Sequence, residues 1–160
     1  GIGGMPAGRD VAVDGAGYAY ATTGQFVRKV TIDGKASTVA GSGAPRYFAG
    51  DNGPASVAKL HTPSGIAVDD AGNWYIADTA NNRIRKIAVG GNITTIAGTS
   101  LPGSFGDAGP ATLAQLNGPR SVAIDSQHNL FIADTGNNRV RKITPSGVIV
   151  LVADKLNDPE

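Results

Sequence analysis

Short apolar segments recur along the chain, and turn-forming residues separate them. Many of these segments are rich in β-branched and aromatic residues and are bounded by turn-forming residues, which is typical of short strands. Asp33-Gly34 and Gly90-Gly91 lie between consecutive segments and are typical of tight hairpin turns. The pattern predicts three groups of four strands, at residues 11–14, 18–21, 26–32 and 36–40; 65–69, 73–78, 83–89 and 93–97; and 122–125, 130–134, 139–144 and 148–152.

The three groups are copies of one another. Asp14, Asp69 and Asp125 each end a first segment and recur at spacings of 55 and 56 residues, where we expect them to cap the following hairpin. Residues 75–87 read YIADTANNRIRKI, and residues 131–143 repeat them as FIADTGNNRVRKI. Each four-stranded group is apolar on both faces and must be covered by its neighbours, which favours β-propeller blades over a sandwich.

A resemblance to a known family supports this interpretation. Residues 65–87, GIAVDDAGNWYIADTANNRIRKI, resemble the NHL repeat, whose members fold as propeller blades. The inserts GDNGPA at 50–55 and GDAGPA at 106–111 resemble the connector between blades in bacterial NHL proteins. The resemblance implies an all-β propeller segment of three four-stranded antiparallel blades with short helical insertions between them. It also favours a secreted or extracytoplasmic bacterial protein.

We expect one partial propeller over residues 1–160. Its parts are blade one at about 8–41, an insertion at 42–63, blade two at 64–98, an insertion at 99–119, blade three at 120–154 and the start of a further connector at 155–160. Three blades do not close a ring, since propellers have about four or more. We therefore expect either further blades in a longer chain or the pairing of two copies as half-rings, because open blade faces expose apolar surface.

The insertions carry two candidate features. Pro54 and Pro110 suit the first position of a helix, and Asp51 and Asp107 precede it, where the helix dipole favours a carboxylate. A calcium site at Asp51 is the alternative, but the second copy lacks the matching ligands. We also expect each helix to dock on a blade through an apolar edge made of Val57 with Leu60, and of Leu113 with Leu116.

Blades two and three place an aspartate and an arginine on either side of the loop between their second and third strands: Asp78 with Arg83, and Asp134 with Arg139. In blade one, Thr22 and Phe26 stand in their places, so both charges are lost together. Loss of one partner alone would leave the other partly buried and uncompensated. The joint loss therefore predicts structural ion pairs.

Basic residues concentrate in the third strands: Arg28, Lys29, Arg83, Arg85, Lys86, Arg139, Arg141 and Lys142. A ridge of this kind is one way to bind RNA phosphates, as some animal NHL domains do. However, the formal net charge is only +1, and no aromatic platform accompanies the ridge. We therefore expect these side chains to lay their stems over apolar neighbours with their charges in water.

Composition gives little support to catalysis. The chain has no cysteine, which excludes a disulfide framework and a thiolate site, and its single glutamate is Glu160. His61 and His128 lie in separate turns and belong to no cluster, so we expect no catalytic residue, cofactor or metal. Propeller lyases and lactonases with a central metal resemble this family, and such an enzyme is the first alternative.

The expected function is a non-enzymatic binding or scaffold module for a protein, peptide or glycan ligand. RNA binding is the second alternative. The loops between the second and third strands are the predicted contact surface. Their candidate residues are Thr79, Asn81, Asn82, Thr135, Asn137 and Asn138, with capping of their own loop as the competing role.

Overall fold

The computed structural model describes residues 8–43 and 48–156, and this part of the chain is built from strands and single 3-10 turns. The strands are β1 (Gly8–Val13), β2 (Ala19–Thr23), β3 (Phe26–Val30), β4 (Ala36–Ala40), β5 (Gly53–Pro54), β6 (Ile66–Val68), β7 (Trp74–Asp78), β8 (Arg83–Ile87), β9 (Asn92–Ala97), β10 (Ser121–Ile124), β11 (Leu130–Asp134), β12 (Arg139–Ile143) and β13 (Ile149–Ala153). Within these described ranges, no helix is long and apolar enough to cross a membrane.

The strands form three antiparallel meanders in chain order: β1 to β4, β6 to β9 and β10 to β13. The two-residue strand β5 adds to the outer edge of the second sheet by pairing with β9. Each first hairpin is capped by its aspartate, as the sequence predicts. Asp14 accepts hydrogen bonds from the amides of Ala16 and Tyr18, and Asp69 accepts one from the amide of Asn73.

The sheets stand side by side with their first strands adjacent, since β6 contacts both β1 and β10. Two apolar clusters fill the spaces between them. The first joins blade one to blade two, and its core includes Tyr20, Val27, Ala40, Leu60, Ile66, Ile76, Ile87 and Ile93. The second joins blade two to blade three, and its core includes Tyr75, Ile84, Leu116, Val122, Leu130, Ile132, Ile143 and Ile149. These are consecutive blades of a β-propeller, as predicted.

The predicted helices in the insertions are single 3-10 turns, at Ala55–Val57 and Ala111–Leu113, with the prolines just before them. Neighbouring sheets use the backbone groups that a longer helix would need. The amide of Ala55 donates to the carbonyl of Gly91 in blade two, and its carbonyl accepts from Gly41 after blade one. The insertion is therefore bound to the blades on both sides.

The predicted apolar edge is half right. Leu60 and Leu116 are buried in the two clusters, but Val57 is 60% exposed and Leu113 is 71% exposed. With only one turn of 3-10 helix, residues three apart do not present one continuous face to the blade. Parts of the sequence predictions fall on residues 1–7, 44–47 and 157–160, which lie outside the described residues.

Candidate functional site

The predicted ion pairs involve the wrong arginines. Asp78 and Arg83 are opposite each other in the pairing of β7 with β8, but Asp78 pairs with Arg85, whose Nη1 lies 3.3 Å from Asp78 Oδ2. Residues two apart on a strand share a face, so Arg85 also reaches the aspartate from β8. Arg83 instead donates to the carbonyl of Gly98, and its guanidinium carbon lies 3.9 Å from the centroid of the Phe48 ring.

The copy in blade three repeats this correction. Arg141 Nη1 lies 3.6 Å from Asp134 Oδ2, and both side chains are fully buried. Arg139, the predicted partner, turns outward and pairs with Asp154 through Nη2 at 3.3 Å. The two blades therefore use the inner arginine for the buried pair and the outer arginine for the rim.

Each buried arginine has a second carboxylate partner from the insertion. Arg85 Nη2 lies 2.8 Å from Asp51 Oδ1, and Arg141 Nη2 lies 2.8 Å from Asp107 Oδ1. Asp51 and Asp107 thus do not serve as helix-terminal charges, because their carboxylates lie against guanidinium groups. Within the described residues, no three His, Cys, Asp or Glu side chains are grouped as a metal site would require.

Further donors complete this brace, which we define as Asp51, Arg85 and Asp78 with their copies Asp107, Arg141 and Asp134. Asp78 Oδ1 accepts a 2.7 Å hydrogen bond from the amide of His61, and Asn81 donates to Asp78 Oδ2 at 2.9 Å. Burial raises the pKa of Asp78 above its ordinary value, although these donors and Arg85 act in the opposite direction. The brace ties the insertion, the loop and the third strand of each blade together.

Blade one lacks the brace for a different reason from the one predicted. The register places Thr23, and not Thr22, opposite Phe26, so Thr23 corresponds to Asp78. Arg28, two residues after Phe26, corresponds to Arg85. Blade one has therefore kept the arginine and lost only the carboxylate, and Arg28 lies over the Phe26 ring at 5.3 Å.

The predicted basic ridge also needs correction. Arg85 and Arg141 are fully buried and cannot offer their charges to a ligand in solution. Lys29 and Lys86 place their Nζ atoms over aromatic rings, 3.7 Å from the centroid of Tyr18 and 5.4 Å from that of Tyr75, whereas the prediction had their charges in water.

Most of the predicted contact residues in the loops form hydrogen bonds within the protein. Asn81 and Asn137 donate to the carboxylates of the brace. Asn82 has a left-handed backbone with φ of 52°, donates to the carbonyl of Ser100 and accepts from the amide of Gly118. Asn138 has the same backbone conformation with φ of 54°, and the Thr135 hydroxyl donates to the carbonyl of Ala133. A role for these residues in ligand binding stays a prediction, and Thr79 lines the cavity described next.

A cavity of about 620 Å³ opens where the chain enters the first strands of the blades. All three blades contribute to its lining, and every described lining residue has a polar or charged side chain. The lining residues are Arg9, Asp10, Thr62, Ser64, Thr79, Arg120 and Ser121. The volume falls in the range of small-ligand sites, and we call this feature the inner-strand cavity.

Equivalent positions of the repeat build the cavity wall. Val11, Ile66 and Val122 pair with corresponding residues of the second strands, so Arg9, Ser64 and Arg120 each lie two residues before one of them. Arg9 lies at a register shift between Gly8 and Asp10, and such bulges redirect a side chain.

Hydrogen bonds between blades hold this wall together. The Ser64 hydroxyl donates to the carbonyl of Arg120 at 2.7 Å, and the Thr22 hydroxyl donates to the carbonyl of Ser64 at 2.7 Å. Asp10 Oδ2 accepts a hydrogen bond from the amide of Ile66 at 3.0 Å. The positions of the wall residues are therefore set by contacts among all three blades.

The cavity carries two cations that have no partner among the described residues. Within the described ranges, neither the Arg9 nor the Arg120 guanidinium forms a hydrogen bond or an ion pair. The carboxylate of Asp10 is used by two backbone amides, those of Val11 at 2.9 Å and Ile66 at 3.0 Å. The inner-strand cavity thus offers two guanidinium groups and several hydroxyls to a ligand.

Sequence reasoning found only Thr79 among the seven lining residues. The other lining residues lie before the segments that are most similar between the copies, and the comparison of those segments does not include them. A signal was nevertheless present, because the position two residues before Val11, Ile66 and Val122 reads Arg9, Ser64 and Arg120 in the three copies.

The opposite end of the first strands has a smaller cavity of about 260 Å³, next to the first hairpins of blades two and three. His128 lies there in a turn, as predicted, with φ of 62°. Its Nε2 is 3.0 Å from Asp70 Oδ1, and both side chains are largely exposed. This contact joins two hairpins at the surface.

Comparisons with known proteins agree with the repeat structure. Residues 45–104 match the family model described as the teneurin NHL domain, and residues 116–143 match the NHL repeat. The chain is 34% identical to the chloroplastic protein SUPPRESSOR OF QUENCHING 1 of Arabidopsis thaliana over 125 residues, which are 73% of this chain and 12% of that protein. It is 35% identical to human Teneurin-4 over 99 residues, which are 54% of this chain and 4% of that protein. The chain thus spans a small part of each of these relatives.

Solved structures give the same fold. An auxiliary nutrient binding protein from Bacteroides thetaiotaomicron superposes with a TM-score of 0.68 at 23% identity, covering 88% of this chain and 36% of that one. A protein of unknown function from the same organism superposes with a TM-score of 0.71 at 24% identity, covering 85% and 33%. Virginiamycin B lyase from Staphylococcus aureus superposes with a TM-score of 0.52 at 16% identity, covering 94% and 56%. At these identities the likeness establishes the fold alone.

Proposed function

The chain belongs to the NHL-repeat family, and from that premise we propose that it is a non-enzymatic binding module that holds its ligand in the inner-strand cavity. One observation carries the proposal: all three blades supply polar side chains to one cavity of about 620 Å³. The ligand is a peptide, a glycan or a surface of a partner protein. The occurrence of nutrient binding proteins among the structures of this fold supports a binding role.

The lining of the cavity favours binding over catalysis. It contains hydroxyls, two arginines and one aspartate, and no histidine or cysteine lies among the described lining residues. A nucleophile needs a base within hydrogen-bond reach, and Asp10 is instead bonded to two backbone amides. The lyase structures share the fold at low identity and supply no reason to assign their reaction to this chain.

RNA binding has less support than the sequence suggested. Two of the eight basic residues in the third strands, Arg85 and Arg141, are fully buried in the brace. The remaining charges are spread over separate blades, and Arg83 and Arg139 bond to backbone carbonyls.

We also propose that the two outer blade faces are covered, either by further blades of a longer chain or by a second copy. Ile66 of blade two is buried between blades, whereas its counterpart in blade one, Val11, is 61% exposed. On the other side, the face of blade three has an open apolar depression lined by Val122, Ala123, Phe131, Ile132, Ala133, Val140 and Ser121. An extracytoplasmic location is part of the same proposal.

Ligand binding at the cavity can be tested with a bulky residue. Ser121 and Ser126 are both exposed; Ser121 is the first residue of the short first strand of blade three, and Ser126 lies two residues past its other end. A panel of short peptides and oligosaccharides is screened by calorimetry against the wild type, Ser121→Trp and Ser126→Trp. We expect Ser121→Trp to abolish binding and Ser126→Trp to leave it unchanged.

The same panel separates binding from catalysis. Mass spectrometry of each bound compound after incubation should recover it unaltered. Loss of binding in Ser126→Trp alone would move the site to the opposite end of the strands, and turnover of a bound compound would make the protein an enzyme.

A further inference from the structure

We infer that the inner-strand cavity recognises a carboxylate group on its ligand, through Arg9 and Arg120. The inference rests on the proposed function, because it concerns the ligand of the same cavity. It adds the chemical group that the site selects and the two residues that select it.

The two arginines are the groups in the cavity that have charge to offer. Within the described part of the chain, neither guanidinium has a hydrogen bond or an ion pair. The other arginines in the described ranges are engaged: Arg85 and Arg141 bind carboxylates, Arg83 and Arg139 bind carbonyls and Arg28 lies over an aromatic ring. A planar guanidinium donates two parallel hydrogen bonds to a carboxylate, which makes arginine the residue suited to this recognition.

The residue at the position of Arg9 and Arg120 differs between the blades: it is charged in blades one and three and neutral in blade two. Arg9 and Arg120 flank Ser64, which occupies the same position in blade two. The Ser64 hydroxyl is spent on the carbonyl of Arg120 and on a contact with the Thr79 hydroxyl. At this position, blade two thus supplies a neutral residue, and blades one and three supply the two cations.

The charge balance favours a carboxylate over a phosphate. The described lining has two guanidinium groups and the single carboxylate of Asp10, which gives one net positive charge. Complementarity therefore matches a ligand with one negative charge better than a doubly charged phosphate. The hydroxyls of Thr62 and Ser121 are available nearby for the polar remainder of the ligand.

A carboxylate reaches the cavity from one of two sources: a free hydroxy acid or an acidic side chain of a peptide. D-Gluconate and its neutral counterpart sorbitol probe the first source. The peptides acetyl-Gly-Glu-Gly-amide and acetyl-Gly-Gln-Gly-amide probe the second. Each pair differs in charge while size and the other polar groups stay nearly equal, and inorganic phosphate is the fifth probe.

Binding of the five probes is measured by calorimetry with the wild type, Arg9→Gln, Arg120→Gln and the control Lys35→Gln. Lys35 is a highly exposed cation in the hairpin between the third and fourth strands of blade one, away from the cavity lining. We expect at least one acid to bind about tenfold more tightly than its neutral counterpart. Each arginine change should weaken that binding about threefold to tenfold, because partly exposed charge pairs are screened. Lys35→Gln should have no effect.

The outcomes are distinct. Preference for gluconate assigns the site to a free acid, and preference for the glutamate peptide assigns it to an acidic side chain. Equal binding of acids and neutral counterparts, tighter binding of phosphate, no binding of either acid, or no effect of the arginine changes overturns the inference. If Ser121→Trp still abolishes ligand binding in that case, the proposed function stands without it.

Discussion

Arg85 and Asp51 form a partly buried ion pair, with Nη2 2.8 Å from Oδ1, although 34 residues separate them in the chain. The side chain of Arg85 has no exposed surface. Its second carboxylate partner, Asp78, is equally buried. One guanidinium therefore joins the insertion to the blade that follows it. Arg141 repeats the arrangement in blade three, so the contact is a unit of the repeat.

Replacing Arg85 should destabilise the protein far more than replacing its neighbour on the strand. In Arg85→Met, the carboxylates of Asp51 and Asp78 lose their shared cation, and Asp78 stays buried without a counter-charge. Breaking one side of a buried pair costs about 3–5 kcal/mol. Arg83→Met is the matched control, and we expect a cost of about 1 kcal/mol because it loses one hydrogen bond to a carbonyl. Urea denaturation of both variants gives the two values.

A double-mutant cycle locates the partner. Asp51→Asn combined with Arg85→Met should be less costly than the sum of the two single changes, with a coupling of about 0.5–3 kcal/mol. Asp107→Asn combined with Arg85→Met should be additive, because Asp107 bonds to Arg141 in the other blade. Additivity in the first cycle would contradict the brace.

Gly65→Ala should destabilise the contact between blades two and three beside the inner-strand cavity. A Cβ at Gly65 would lie 2.6 Å from the Cα of Ser121 and 2.7 Å from the carbonyl oxygen of Arg120. Both obstacles are backbone, so the first strands must separate, and overpacking of this kind costs about 1–3 kcal/mol. Thermal unfolding measures the loss.

Gly90→Ala is the control for that change. A Cβ at Gly90 meets no atom within 4 Å, so we expect a change of less than about 0.5 kcal/mol. Equal losses in the two variants would show that the loss at Gly65 does not come from the close approach of the strands.

The aspartates that cap the first hairpins, such as Asp125, should stabilise the folded protein at neutral pH and lose this effect at low pH. The side chain of Asn129 and the amides of Asn129 and Gln127 donate to Asp125, and these hydrogen bonds lower the pKa of Asp125 below its ordinary value of 3.8. The folded-state pKa is then below the unfolded-state pKa. The stabilisation is fully present above about pH 4 and is lost as the pH falls through the folded-state value.

Asp125→Asn isolates this effect, because the variant cannot titrate at that position. The difference in unfolding free energy between wild type and variant should be constant above about pH 4 and should change in favour of the variant as the pH falls. Urea denaturation at several pH values between 2 and 7 measures it, in steps of about one unit around the ordinary aspartate pKa. A difference that does not vary with pH would mean that the pKa of Asp125 is unchanged on folding.

The outer face of blade one should mediate association of the 160-residue chain. Val11 and Val13 are 61% and 63% exposed on this face, and exposed apolar patches favour a partner. Sedimentation should detect a dimer or a larger species at micromolar concentration, and Val11→Glu with Val13→Glu should shift it toward the monomer. Ile32→Glu is the control, since Ile32 is as exposed but lies in a hairpin turn. A wild-type monomer with a cooperative thermal transition would contradict pairing between copies.

Local patterns were enough to predict the architecture. Short β-prone segments, turn signals and the repeat spacing identified every strand of the three meanders to within a few residues. The capping role of Asp14, Asp69 and Asp125 was also predictable, because each acts on amides two to four residues away. The family resemblance led to the same fold.

Contacts between distant segments decided the rest. The sequence placed Asp78 beside Arg83 because they flank one short loop, but Arg85 is the arginine that the insertion covers and that Asp51 reaches. The insertion forms a single 3-10 turn instead of a longer helix, because its backbone amide and carbonyl groups form hydrogen bonds with the two neighbouring sheets. The inner-strand cavity unites Arg9 with Arg120 from blades one and three. The sequence by itself therefore determined strands, hairpins and repeat, which depend on residues close in the chain, whereas the packing of blades decided the ion pairs and the cavity, since their residues meet only in the folded protein.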